Sequence, residues 1–169
     1  MSVNALRQYL EFLKNSGIKE LYLPESNNQK RLNELQHQYS NCTKCSLSQS
    51  RHNFVYGEGN PNALAMLIGE GPGEQEDKTG RPFVGAAGQL LEKMLSAINL
   101  KRSDVYITNI VKCRPPGNRN PEVEERKACL PYLWEQIQII QPKLLLLLGL
   151  VSAQTLLNNN NTLGWHRGK

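Results

Sequence analysis

The sequence predicts an α/β fold of three layers, with helices on both faces of a short central parallel sheet. Three observations carry this. Apolar runs of strand length stand at Leu64–Ile68, Val105–Ile110 and Leu144–Leu148. Helical patterns follow them at Gly85–Ile98, from Pro121 to about Ile140, and at Leu150–Leu157. The resulting βαβαβα rhythm is that of parallel strands joined by covering helices. In such sheets ligands bind beyond the carboxyl ends of the strands. The loops after Ile68, Ile110 and Leu148 should therefore share one rim.

Each element has a local reason. The five leucines of Leu144–Leu148 lack alternation and predict a strand buried on both faces. Pro121 suits the first turn of the long helix, with Glu122, Glu124 and Glu125 near its positive end, and Pro142 stops it. Leu6, Leu10 and Leu13, with Tyr9 and Phe12, predict an amphipathic helix over 3–14. A second short helix is expected over Leu32–Tyr39, leading into Cys42. Residues 1–40 thus read as a helical N-terminal extension, and 41–169 as the main domain.

The 169 residues suffice for one domain with a sizeable core. Hydrophobic residues make up 39% and charged residues 21%, which excludes a disordered chain. The net charge of +5 permits a polyanionic partner without demanding one. No signal peptide is recognisable at Met1, and the leucine run is too short to span a bilayer. A cytoplasmic protein, monomeric and without a membrane partner, is expected.

The chain's four cysteines are Cys42, Cys45, Cys113 and Cys129. The first two form a Cys-x-x-Cys pair, and the last two bracket a Pro-rich turn, Pro115 to Pro121. This usage points to one inorganic centre, since four thiolates can hold a [4Fe–4S] cluster or a structural zinc. Disulfides and unrelated buried thiols are the alternatives, the former rare in the cytosol.

Three segments carry chemistry. Gly69-Glu70-Gly71-Pro72-Gly73-Glu74-Gln75-Glu76-Asp77 lets a ligand approach backbone N–H groups, but it lacks the Gly-Lys-Ser/Thr ending of a phosphate loop. Its carboxylates would repel a triphosphate. The loop better suits a neutral ligand that gains negative charge during reaction. Thr79-Gly80-Arg81-Pro82-Phe83-Val84-Gly85 offers an aromatic that can stack on a flat ring, unless Phe83 is simply core. Thr108-Asn109-Ile110-Val111-Lys112-Cys113-Arg114-Pro115-Pro116 places a carboxamide at a strand end, where it can read a base edge or merely form a turn.

These three segments, in this order and with this cysteine spacing, resemble the family 4 uracil-DNA glycosylases, the iron–sulfur type, from about Leu35 onward. The resemblance implies a uracil-DNA glycosylase of base-excision repair acting on uracil in single- or double-stranded DNA. Cys42, Cys45, Cys113 and Cys129 would ligate a structural [4Fe–4S] cluster. Phe83 would stack on the flipped uracil, and Asn109 would read its edge. The backbone of Glu70, Gly71 and Pro72 would meet its O2 side. Glu76 would orient the attacking water or stabilise the positive sugar. Lys112, Arg114 and Arg119 could contact DNA phosphates or form a solvated basic loop.

One part of the family pattern is missing. The family continues into another strand and a His-Pro loop, whose His donates to uracil O2, whereas this chain reaches Trp165-His166-Arg167-Gly168-Lys169 without it. His166 does not match that position. The sheet is therefore expected to lack its last strand and to expose apolar surface. One lost donor would lower the rate by about 10²–10³. Two other classes compete with the enzyme: a relative that binds uracil or single-stranded DNA without cleavage, and a zinc-stabilised nucleic-acid-binding protein.

Overall fold

The computed structural model describes residues 27–166 together with residues 8, 11, 12 and 14–16. Its elements are α1 (Asn28–Tyr39), β1 (Glu58–Gly59), β2 (Ala65–Gly69), α2 (Glu74–Thr79), α3 (Ala86–Ala97), β3 (Tyr106–Asn109), α4 (Val123–Ile140), β4 (Leu144–Leu147), α5 (Leu150–Leu157) and α6 (Leu163–His166). Three 3₁₀ turns, Ser46–Gln49, Arg102–Asp104 and Pro116–Asn118, join them. Of the helix expected over 3–14, Gln8, Glu11, Phe12 and Lys14 are helical, and the rest lies outside the described residues.

The strands form one mixed sheet in the order β1-β3-β2-β4. The strands β2, β3 and β4 are parallel, as the rhythm predicts, while β1 is an added antiparallel edge. Side-chain alternation divides the sheet between two cores. Met66, Ile68 and Tyr106 face Leu32 and Leu35 of α1 and Tyr132, Leu133, Ile139 and Ile140 of α4. On the opposite face Leu67 and Ile107 meet Leu91 and Leu95 of α3. This is the three-layer α/β/α arrangement. Helix α1, at the end of the expected N-terminal extension, contributes two of its leucines to the larger core.

Two elements differ from expectation. The polar stretch after the glycine loop folds as α2 rather than loop, with Glu76 and Asp77 buried. The strand β4 is parallel but not fully buried: among the described residues it lies at the sheet edge and pairs only with β2. Leu144, Leu145 and Leu146 remain 57%, 36% and 43% exposed. A continuous apolar run reports the environment a strand suits, whereas its place in the sheet order decides how much of it is covered. The helix α4 begins two residues after Pro121. Glu125 accepts the Glu122 N–H at 2.7 Å and closes a capping box there.

Candidate active site

Past the last paired residues, Gly69 and Asn109, the two central chains continue side by side. Ile110 N–H donates to Gly69 O at 2.9 Å, and Val111 N–H donates to Glu70 O at 3.1 Å. This rim borders a pocket of about 280 Å³ whose lining includes Gly71, Glu76, Phe83, Gly85, Asn109 and Asn118. The loops after β2 and β3 thus share a rim as expected, and the loop after β4 is not part of this lining.

Among the described residues, only backbone donors hold Glu76. Its Oε1 accepts Val84 N–H at 2.8 Å and Gly85 N–H at 2.7 Å, and its Oε2 accepts Gly73 N–H at 3.1 Å. A carboxylate offers about four acceptor sites, so one on Oε2 is left for another donor. The neighbouring Asp77 anchors α2 from behind. It accepts the N–H of His52 at 2.9 Å and meets the His52 ring at 2.6 Å. Burial pushes its carboxyl up, but those bonds and the Asn53 N–H outweigh it and hold the group below its ordinary value.

Asn109 is buried, and its Oδ1 has no hydrogen-bond partner among the described residues. A buried unpaired amide oxygen costs about 1–3 kcal/mol, so it marks a place where a donor is due. Phe83 is half-buried, packs against the smaller core and carries a left-handed backbone with φ of 54°. A Cβ on Gly69 would stand 2.5 Å from both Asn109 Oδ1 and Phe83 Cζ. Only glycine there lets the ring and the amide converge. Of the run Glu70 to Pro72, Gly71 lines the pocket. Burial pushes the Glu70 carboxyl up, with Arg126 pulling it the other way.

Lys112 corrects an expectation. It is fully buried, and its Nζ donates to Thr108 Oγ1 at 2.6 Å, Gln136 Oε1 at 2.7 Å and Asn109 O at 2.9 Å. It cannot reach a surface phosphate. Burial pushes its amine down to about 7, against the opposing influence of the Cys129 sulfur. The other two cations of this loop are engaged with the protein. Arg119 forks onto both Glu125 oxygens at 2.7 and 2.8 Å. Arg114 donates to Asn118 at 2.8 Å and lies 3.8 Å from Glu74.

The four cysteines converge on the larger core, Cys113 and Cys129 buried and Cys42 and Cys45 partly so. All four are free thiols. Three of the sulfurs have polar neighbours: Tyr132 OH at 3.0 Å from Cys42, the Arg51 guanidinium at 3.3 Å from Cys113, and Lys112 N–H at 3.2 Å from Cys129. Burial pushes the Cys113 thiol up and the Cys129 thiol up to about 12. Among the described residues, no three His, Cys, Asp or Glu side chains are grouped as a single metal ion requires. Among the same residues, no helix is long and apolar enough to cross a membrane.

Sequence reading missed the groups that support this pocket. Glu58 and Arg102 stand 44 residues apart, with no spacing signal to join them, yet Arg102 donates to Glu58 at 2.6 Å. The buried Gln136 lies on α4, where its polar side chain resembles a solvated one.

The chain is 53% identical over 126 residues to the type-4 uracil-DNA glycosylase of Pyrobaculum aerophilum, covering 75% of this chain and 64% of that relative. It is 56% identical over 119 residues to the type-4 enzyme of Sulfurisphaera tokodaii, covering 70% and 54%. With that of Archaeoglobus fulgidus it shares 46% over 127 residues, covering 75% and 64%. The chain thus spans 54–64% of the length of these curated relatives. The sequence profile of the uracil DNA glycosylase superfamily matches residues 56–169, which hold β2, β3, the pocket and two of the cysteines. By that match, the chain belongs to the uracil DNA glycosylase superfamily.

Proposed function

We propose that this chain is a uracil-DNA glycosylase, which flips uracil out of DNA and hydrolyses its N-glycosidic bond to leave an abasic site. The observation that carries the reading is Asn109 Oδ1, buried without a hydrogen-bond partner among the described residues in a pocket that Phe83 also lines. The uracil N3–H is the donor that this oxygen lacks, and the amide NH₂ of the same side chain suits uracil O4. Cytosine reverses both groups at that edge and would leave buried polar atoms unpaired. The Phe83 ring supplies the stacking that the base loses on leaving the helix.

Bond cleavage sends the C1′–N1 electron pair onto uracil, giving an anionic base and an oxocarbenium-like sugar. Glu76 is the carboxylate that can face that positive charge. Its three backbone hydrogen bonds fix it before the substrate arrives, and preorganisation of this kind lowers the barrier. The open acceptor site on Oε2 would orient the water whose oxygen adds to C1′ and whose proton ends on the released uracil anion. The backbone at Gly71, which lines the pocket, would meet the developing negative charge on the base.

Four free cysteine thiols packed on one core are a donor set suited to a [4Fe–4S] cluster, as the family resemblance implies. Arg51, Tyr132 and the Lys112 N–H would stabilise thiolate charge on Cys113, Cys42 and Cys129. When bound, the cluster supplies a structural cross-link between the segments around Cys42 and Cys113 and helix α4. Helix α1 packs into the larger core and has no assigned part in the reaction. We take Arg114 as the closest candidate for a phosphate contact, since Arg119 is committed to Glu125.

The test is uracil release from a uracil-containing oligonucleotide in single turnover, with excess iron-loaded protein. Release by the unaltered chain that falls by about 10³-fold in Glu76→Ala and in Asn109→Ala is expected. No release from cluster-loaded, folded protein would overturn the reading in favour of a relative that binds without cutting.

A further inference from the structure

The segment Pro82–Gly85 is gripped from two sides. On one side Arg102 Nη2 donates to Pro82 O at 2.6 Å, and Arg102 Nη1 donates to Phe83 O at 2.8 Å. On the other, Glu76 Oε1 accepts the N–H groups of Val84 and Gly85. The peptide unit between Phe83 and Val84 is therefore held at its oxygen by an arginine and at its nitrogen by the proposed catalytic carboxylate. The same unit follows the left-handed Phe83, a backbone conformation that an aromatic residue keeps only when its surroundings impose it.

The grip is built rather than incidental. Glu58 on β1 fixes the guanidinium, accepting from Arg102 Nη2 at 2.6 Å and from its Nε at 3.1 Å. Arg81 completes the brace with bonds of 2.8 and 3.0 Å to the two Glu58 oxygens. Burial pushes the Glu58 carboxyl up, but the two guanidinium groups outweigh it and hold it below its ordinary value. The Phe83 carbonyl also sits against α3, where a Cβ on Gly88 would lie 1.9 Å from its oxygen.

We propose that Arg102, braced by Glu58, is a positioning residue of the pocket: it holds the Pro82 and Phe83 carbonyls and thereby sets both the Phe83 ring and the Val84 N–H that anchors Glu76. The inference rests on the glycosylase reading for the identity of the ligand, but the grip itself does not. Lysine cannot replace the fork. One ammonium cannot serve two carbonyls and a carboxylate in one plane as the guanidinium does.

The test compares Arg102→Lys, Arg102→Gln and Glu58→Gln with the unaltered 169-residue chain. Amide hydrogen exchange at Val84 and Gly85 is read together with binding of free uracil and single-turnover uracil release. Both Arg102 variants should lose protection at those two amides while β3 and α4 keep theirs. They should bind free uracil more weakly and release uracil about 10²-fold more slowly, since small misplacement of a reacting group costs that much. The pH profile should keep its shape. Glu58→Gln, the mildest change, should show the same pattern at about tenfold. Unchanged exchange at Val84 and Gly85, or full rescue by Arg102→Lys, would overturn the proposal. If the unaltered chain neither binds nor releases uracil, the glycosylase reading fails, and the exchange data alone decide the grip.

Discussion

The pocket and the cysteine wall lie at opposite ends of one five-residue segment, Asn109 to Cys113, yet they are held together in different ways. Around the pocket, backbone hydrogen bonds do the holding. Glu76 takes three N–H groups and Arg102 gives to two carbonyls, so positions are set by atoms that cannot rotate away. Around the cysteines the holding is apolar burial, and that burial works against the thiolate form at Cys113 and Cys129. The pocket is organised in advance of its ligand, whereas the wall gains its strength from whatever neutralises its sulfurs. Lys112 joins the two, since its N–H meets Cys129 and its Nζ meets the Asn109 carbonyl.

This contrast can be broken or sharpened by four measurements. The largest effect is expected at the wall. Cys113→Ser, or removal with a chelator of the iron that the proposed cluster would carry, should lower stability by about 4 kcal/mol, a fall in melting temperature of about 8–16 °C for a chain of this size. Thermal melts of loaded and stripped protein check it, and equal melts would mean that the wall holds itself. Next comes Gly69→Ala, whose methyl would press on Phe83 and Asn109 together. It should slow uracil release by about 10²-fold while costing about 1–3 kcal/mol of stability. A variant with unchanged release would show that the convergence of ring and amide is not needed.

The link between the regions comes third. Lys112→Met fills the same space but removes the Nζ donor from Thr108 Oγ1, Gln136 Oε1 and the Asn109 carbonyl. It should cost about 2 kcal/mol in urea unfolding. The salt dependence of DNA binding should not change in this variant, whereas Arg114→Ala should make the slope shallower by about one. A shallower slope in Lys112→Met would return that residue to the surface.

The smallest effect is a pH dependence that belongs to neither region. The Arg119 guanidinium, joined by the Glu122 N–H and Ser46, outweighs burial and holds the Glu125 carboxyl down at about 2. The folded value lies below the unfolded one, so the bond's contribution is complete above the ordinary value of 4.5. It is lost as the pH falls from there toward 2. About 2 kcal/mol should disappear across that window, allowing for solvent around Arg119. Glu125→Gln should flatten the acid limb of an unfolding curve measured against pH. A limb of unchanged steepness in that variant would assign it to other carboxylates.

How far the sequence could be read depended on the range of the forces involved. The strands β2 and β3 and the helices α3 and α5 were legible because burial of one face imprints a local period on the residues. The site residues Glu76, Phe83 and Asn109 stood out through the resemblance, and they line one pocket. Helix α2 was hidden because six polar residues behind glycines carry no period, and β1 because it has only two residues. Lys112 was misread because charge usually marks the surface, and nothing in its neighbours announces Gln136 beneath it.

By itself, the sequence determined the α/β rhythm, the four-thiol inventory and the order of the loops that meet at the rim, because these follow from local periodicity and from residue chemistry. The packed structure was needed to show that, among the described residues, the expected exposed apolar edge falls on β4, that Lys112 faces inward, and that Arg102 and Glu58 meet behind Phe83. Each of these depends on which distant segments become neighbours. That choice is made by the packing of whole helices on the sheet, and no short stretch of chain records it.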